Sequence, residues 1–359
     1  MTRSRLLALA PSAGFGGGIE RVAAAIEDVS DGGVDRIDLY DAGREVTPYG
    51  SSLAKARFGR SAIAAASRRR YRWILCLHAG LLPIALVAGR LTRTNVALFA
   101  YGTEVWAPMS APRRRFVRAC SRTIAISEFT AEWLARRAQV PRASVRIVRL
   151  PIAAQLAAAA RDRPPPQDSR EPIAVTVSRL VPEHRYKGYF GVLDAWRRVQ
   201  AVRPDARWVV VGDGPDLQSL ADRVRAFGLE SSVRLVGRAS DEALARVYRE
   251  AAVFVLPSVA DVESRPPTGE GFGLVYAEAG AFAVPSIAST AGGGASDFVV
   301  PGVTGLTVEP DDSPGLAVSL LDLLADPARR TELGKAARRR TLEYHLPDHF
   351  ADQLRQILV

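Results

Sequence analysis

Residues 208–256 read WVVVGDGPDLQSLADRVRAFGLESSVRLVGRASDEALARVYREAAVFVL, and this stretch decides the fold. Trp208 to Val211 is an unbroken apolar run, and Gly212-Asp-Gly-Pro215 punctuates it as a turn. Residues 217–227 then carry apolar side chains at helical spacing. The pattern repeats with a strand at 233–236, a helix at 241–251 and a strand at 253–256. Strands apolar throughout, rather than alternating, belong to parallel sheets covered by helices on both faces. The stretch is therefore a doubly wound α/β unit.

The same alternation extends both ways. Further strands are expected at 173–177, 284–288 and 306–308, with helices at 190–202, 273–281 and 314–324. The first half repeats it, with strands at 6–10, 36–40, 73–77, 95–100, 123–127 and 145–150 and helices at 19–29 and 129–138. The 359 residues exceed one compact domain. Residues 154–172, AQLAAAARDRPPPQDSREP, read as a linker because of the proline run. The expected division is 1–164, 165–345 and a C-terminal helix over 346–359 that packs back on the first domain. The expected fold class is α/β: two doubly wound Rossmann-like domains facing a cleft. Ligands on such sheets bind beyond the carboxyl ends of the strands.

Composition narrows the function classes. At 48% hydrophobic and 24% charged the chain is an ordinary globular protein. It has no apolar stretch of the roughly 18 residues a membrane span needs. The opening Met1-Thr-Arg-Ser-Arg5 resembles a signal n-region, but the apolar run stops at Pro11, so a first strand is expected. Cys76 and Cys120 suggest no disulfide framework, which fits a cytoplasmic location. Residues 1–164 hold 26 Lys and Arg against 12 Asp and Glu, a net +14, while residues 165–359 hold 22 against 26, a net −4. A one-sided positive field suits an anionic partner: a polyanion, an anionic membrane surface or a diphosphate-linked acceptor. Nucleic acid would account for the charge but not for the acidic motifs of the second half.

Three constellations carry chemistry. Gly14-Phe-Gly16-Gly17-Gly18-Ile-Glu20 follows the first strand and opens a helix, where backbone N–H groups favour a phosphate. Ile19 breaks the dinucleotide fingerprint, although Asp38 stands about 20 residues on; a nicotinamide-dependent oxidoreductase is thus the alternative from another class. Next, Arg179 follows the strand 173–177, and Lys187 stands eight residues later in VSRLVPEHRYKG. Two fixed cations can neutralise a diphosphate without a metal. Third, Gly269-Glu270-Gly271-Phe272-Gly273 precedes an apolar helix holding Glu278. Were the whole segment helical, the two glutamates would lie roughly 12 Å apart. A carboxylate in so apolar a helix needs a partner.

These elements, in this order, resemble the glycosyltransferase family 4 group. The glutamate pair of GEGFGLVYAEA is its most specific mark. VSRLVPEHRYKG, VVVGDGPDLQSL, VRLVGRASDEALARVYREAAVFVLPS and VPGVTGLTVEPDD support it, as do FGGGIERV, AYGTEVW and AISEFTAEWLARR in the first half. The resemblance implies the GT-B fold and retaining transfer from a GDP- or UDP-sugar. It implies that Arg179 and Lys187 hold the diphosphate, that Gly16 and Gly17 face it, and that Glu278 binds the ribose. It further implies that Glu270 and the backbone of Gly271, Phe272 and Gly273 contact the sugar, and that Gly237 and Arg238 line the base. No Asp-x-Asp motif occurs, so neither metal nor other cofactor is expected. Many relatives carry His where this chain has Tyr101, ahead of Glu104; His78 occupies an earlier position that is also often His. A mannose donor, GDP-mannose, is favoured over a UDP-hexose because HRYKG resembles mannosyltransferases of exopolysaccharide pathways. The expected acceptor is lipid-linked or a growing polysaccharide at the inner face of the cell membrane. Arg68-Arg-Arg-Tyr71-Arg-Trp73 and Arg113-Arg-Arg-Phe116-Val-Arg118 are the expected membrane-facing runs.

Overall fold

The computed structural model describes residues 6–13, 18–29, 33–41, 52–162 and 170–358. The chain forms two compact units, one of residues 1–150 and 347–359, the other of residues 151–346.

The first unit contains β1 (Leu6–Ala13), α1 (Gly18–Val29), β2 (Val34–Asp41), α2 (Ser52–Arg68), β3 (Trp73–Cys76), α3 (Leu82–Thr92), β4 (Asn95–Ala100), α4 (Thr103–Trp106), α5 (Ala111–Arg118), β5 (Arg122–Ala125), α6 (Glu128–Ala138) and β6 (Val145–Ile147). Its six strands are all parallel, in the order β2-β1-β3-β4-β5-β6. The chain reverses its direction of travel between β1 and β3, so the crevice of this sheet opens past their carboxyl ends. The first apolar run is a buried strand, as expected, although it continues through Pro11 to Ala13 instead of ending at residue 10.

The second unit contains α7 (Ala154–Asp162), β7 (Ile173–Val177), α8 (Tyr189–Val202), β8 (Arg207–Val211), α9 (Asp216–Ala226), β9 (Val233–Gly237), α10 (Asp241–Glu250), β10 (Val253–Val255), α11 (Leu274–Ala281), β11 (Ser286–Ser289), β12 (Gly305–Val308), α12 (Ser313–Ala325) and α13 (Pro327–Tyr344). Its parallel sheet runs β12-β11-β10-β7-β8-β9. The chain leaves β7 toward β8 and β9, then crosses back to β10 on the other side of β7. That makes the space past β7 and β10 the switch point. Trp196 of α8 and Trp208 of β8, both fully buried with ring centroids 6.2 Å apart, fill the core beneath the sheet. Side chains cap the helices where the sequence supplies them: Ser240 accepts from the Ala243 N–H at the start of α10, and Asp312 from the Gly315 N–H at the start of α12.

Two expectations about organisation need correcting. The chain divides after Leu150, about 15 residues before the expected boundary at 165. Residues 154–162, expected as linker, are helix α7, whose Leu156, Ala157 and Ala160 are buried. Arg249 donates to the Ala159 carbonyl at 2.9 Å and Arg338 to the Ala160 carbonyl at 3.1 Å, tying α7 into the second unit. The prolines after it had weighted the whole segment toward linker, although its alanines are strong helix formers. The last helix, α14 (Pro347–Leu358), belongs to the first unit. Phe350, Ala351, Leu354 and Leu358 form its buried face. Trp73 Nε1 donates to the Leu358 carbonyl at 2.7 Å.

Candidate active site

The loop leaving β7 carries Arg179, then turns through a 3-10 stretch, Pro182–Lys187, before Gly188 opens α8. The loop leaving β10 runs to Gly273. The two lie against each other: the Val259 N–H donates to the Tyr186 carbonyl at 2.8 Å. Across them, Lys187 Nζ stands 2.7 Å from Glu270 Oε1. The contact is ionic, without the alignment of a hydrogen bond. Both side chains are nearly enclosed, at 13% and 11% exposure, so the pair is only weakly screened by water.

His184 completes this group. Its Nε2 is 3.4 Å from Arg179 Nη2, and burial, Lys187 and Arg179 lower its pKa to about 4. The imidazole is neutral at physiological pH. The local cationic field thus comes from Arg179 and Lys187, with Glu270 as counter-charge. Arg185, in the same HRYK turn, has a structural task. It forks onto Asp216 at 2.8 and 2.6 Å, and Tyr189 donates to the same carboxylate at 2.5 Å. The guanidinium holds the buried Asp216 below the usual carboxylate range and pins the turn to the start of α9.

Glu270 and Glu278 are not on one helix. Gly273 adopts φ +82° and α11 begins only at Leu274, so the separation of roughly 12 Å expected for a continuous helix does not follow. Glu278 is four residues past the first residue of α11, about one turn in. It is 2% exposed and accepts from the Tyr248 hydroxyl at 3.2 Å, the partner its apolar surroundings require. Phe272 packs its ring inward, edge-on to Phe298 at 4.9 Å, which leaves only its backbone for a ligand. Gly271 sits under Gly294, whose N–H donates to the Glu270 carbonyl at 2.7 Å. Gly237 ends β9 and its carbonyl accepts from Gly212; Arg238 beside it is exposed. The sequence reading missed Tyr248, His184, Asp216 and Gly294. Only Gly294, within the run Gly292-Gly-Gly294, carried a signal for close backbone approach.

In the first unit, Gly16 and Gly17 lie outside the described residues. His78 follows β3 and Glu104 follows β4. His78 Nδ1 accepts from the Gly80 N–H at 3.0 Å and caps the turn Ala79–Leu81. Burial lowers its pKa, Glu104 opposes the shift and Arg113 adds to it. Glu104 Oε1 accepts from the Tyr101 N–H at 2.6 Å. The Tyr101 hydroxyl is buried without a partner among the described residues, and burial raises its pKa well above the ordinary value. Of the expected membrane-facing runs, Tyr71 and Trp73 are buried, at 8% and 3% exposure, while Arg68, Arg69, Arg70 and Arg72 around them are exposed. Arg113, Arg114 and Arg118 donate to the carbonyls of Glu104, Met109 and Ala138. A strand-entry position buries its aromatics, whatever cations surround them.

Two six-stranded, doubly wound parallel units, the second with cations and a carboxylate gathered at its switch point, are the architecture of a GT-B glycosyltransferase. The chain belongs to the family described as Glycosyl transferases group 1, which matches residues 159–340. That class displaces the nicotinamide-dependent oxidoreductase. A curated relative from Corynebacterium glutamicum is 32% identical over 167 residues, 46% of this chain and 42% of the relative. It is a GDP-mannose-dependent monoacylated alpha-(1-6)-phosphatidylinositol monomannoside mannosyltransferase. The matches to this and a second mannosyltransferase span less than half the length of those relatives. Among solved structures, Anabaena HepE in complex with UDP superimposes with a TM-score of 0.78 at 18% identity, covering 99% of both chains. A glycosyltransferase from Rickettsia africae gives 0.79 at 14% identity, covering 99% of this chain and 98% of the other. These two likenesses concern the fold alone.

Proposed function

We propose that this protein is a retaining, metal-independent glycosyltransferase that moves a hexose from a nucleotide sugar to a lipid-linked or polysaccharide acceptor. The observation that carries the reading is the Lys187–Glu270 pair at the switch point, with Arg179 in the same loop. A diphosphate there meets two cations, so its charge is stabilised as the sugar leaves. In the proposed step the acceptor hydroxyl oxygen bonds to the anomeric carbon on the face the diphosphate vacates. The bond from that carbon to the phosphate oxygen breaks, and its electron pair leaves with the diphosphate. The acceptor proton passes to a diphosphate oxygen. Glu278 takes the ribose hydroxyls, Glu270 and the backbone at Gly271, Phe272 and Gly273 take the sugar, and Gly237 and Arg238 border the base. Gly16, Gly17, His78, Tyr101 and Glu104 are assigned to the remaining donor and acceptor contacts.

GDP-mannose is the favoured donor, in keeping with the corynebacterial relative's name, and a UDP-hexose is the alternative. Titration calorimetry in EDTA with GDP-mannose, UDP-glucose, UDP-galactose, UDP-N-acetylglucosamine and NADH decides among them. Micromolar binding of one nucleotide sugar is expected; NADH binding alone would overturn the reading.

The resting ion pair makes a further expectation. A diphosphate must compete with Glu270 for Lys187. Glu270→Gln removes that competitor, so UDP or GDP should bind about 3- to 10-fold more tightly while transfer falls. Unchanged or weaker nucleotide binding would mean that Lys187 does not exchange partners.

An anionic lipid surface remains the proposed location of the acceptor, at the inner face of the cell membrane. Exposed Leu53, Val87 and Leu91 stand with exposed Lys55, Arg57, Arg60 and Arg90 on the neighbouring helices α2 and α3. Among the described residues no helix is long and apolar enough to cross a membrane. Binding should therefore be reversible and salt-sensitive. Co-sedimentation with phosphatidylglycerol vesicles, lost in 0.5 M salt and absent with phosphatidylcholine, is the expected result (salt screening at that strength shortens the Debye length to about 4 Å).

A further inference from the structure

We infer that Tyr248 is the positioning residue that orients Glu278 for the nucleotide's ribose, an inference resting on the ribose role proposed for Glu278. Tyr248 lies on α10, a different element from Glu278. Its ring is fully buried, stacked on Phe282 at 5.7 Å with planes 19° apart, and lies 6.3 Å from Phe254. Phe254 in turn meets Tyr276 edge-on at 5.3 Å, and the Tyr276 hydroxyl donates to the Leu256 carbonyl at the end of β10. The phenol is thus clamped, and its hydroxyl has a fixed place. That hydroxyl donates to Glu278 Oε2. A hydrogen bond to one oxygen of a carboxylate restricts rotation of the group, and with it the direction in which the other oxygen faces. A carboxylate that accepts two vicinal hydroxyls needs its plane set, because both hydrogen bonds lose strength steeply with misalignment.

The role predicts a change in discrimination rather than a general loss. Calorimetry on the full chain would measure affinity for UDP and GDP and for their 2′,3′-dideoxy counterparts, with wild type, Tyr248→Phe, Glu278→Gln and the double variant. Tyr248→Phe keeps the buried ring, and its melting temperature checks the fold. The ratio of ribo to dideoxy affinity should be about tenfold or more in wild type and should collapse in Glu278→Gln. In Tyr248→Phe it should fall by about 3- to 10-fold with dideoxy affinity unchanged. The double variant should be no worse than Glu278→Gln alone, as two residues acting through one contact require. A collapsed ratio in Glu278→Gln with a wild-type ratio in Tyr248→Phe would overturn the positioning role and leave the ribose assignment standing. Equal losses of ribo and dideoxy binding in Tyr248→Phe would make it a packing residue and also overturn the role. An unchanged ratio in Glu278→Gln, or no binding of either nucleotide, would remove the ribose assignment and the inference with it.

Discussion

Lys187→Ala should weaken nucleotide-sugar binding by about 2 kcal/mol or more, some 30-fold, and lower kcat/KM by about 10²- to 10³-fold. The expectation follows from enclosure. Lys187 is 13% exposed and its partner 11%, so water cannot replace the lost cation at the site. Two losses are combined in the variant and have to be separated. One is the missing charge for the diphosphate. The other is Glu270, left nearly buried without its counter-ion, which should cost about 1–3 kcal/mol of folding stability at neutral pH. The double variant Lys187→Ala/Glu270→Gln separates them: removing the carboxylate should restore the melting temperature but not the donor affinity. His184 does not make up for the lost cation: burial, the largest cause of its lowered pKa, and Arg179 both still act on it when Lys187 is gone. If the double variant recovered donor affinity as well, the cation would not be a diphosphate ligand, and the binding deficit of the single variant would be a folding effect.

How much of this was legible in the residues depends on whether the signal is local. The twelve strands among the described residues were: central strands buried on both faces are apolar throughout and stand out against charged helices, while the edge strand β2, with Asp35, Arg36 and Asp38 in it, gives a weaker pattern. Their ends were less so. Residues 123–127 were expected as one strand, but β5 stops at Ala125, because Ser127 turns out of the ladder to cap α6 by accepting from the Thr130 N–H. Residues 145–150 end at Ile147 as a strand, although Val148 and Leu150 remain buried beyond it. Helix α13 gave little pattern: Arg330 and Thr341 lie on its buried side, satisfied by the Leu323, Leu324 and Ala277 carbonyls, so its apolar stripe is broken. The site behaved likewise. Arg179, Lys187 and Glu270 could be picked out by residue type and order. Their meeting could not, because it depends on the order of β7 and β10 in the sheet, which separates them in sequence and joins them in space. Tyr248 reads as an ordinary apolar-face residue of an amphipathic helix, and only the placement of α11 gives its hydroxyl a task.

Gly294→Ala tests whether the glutamate loop owes its shape to a backbone contact from outside the motif. A Cβ on Gly294 would stand 2.3 Å from the Gly271 carbonyl oxygen and 2.7 Å from the Phe272 nitrogen. Both are main-chain atoms of the segment that carries Glu270, so neither yields as a flexible side-chain end would. Two responses are open to the chain. The Gly271–Phe272 backbone shifts, which breaks the 2.7 Å bond from the Gly294 N–H to the Glu270 carbonyl and displaces the carboxylate from Lys187. Alternatively the turn at Gly293–Asp297 moves, which pulls on the buried Phe298 and Phe272 pair. Either route should cost about 2–4 kcal/mol of stability and weaken donor binding at least tenfold. Gly191→Ala is the control, since a Cβ there meets nothing within 4 Å and lies within α8. It should leave binding unchanged and raise stability by about 0.5–1 kcal/mol. Thermal melts and donor titrations on the two variants are decisive together. Loss of both stability and affinity in Gly294→Ala alone would show that the donor loop is shaped by the 290s turn. Wild-type affinity in a destabilised Gly294→Ala would mean that the loop holds its geometry without that contact, and that the close approach serves packing only.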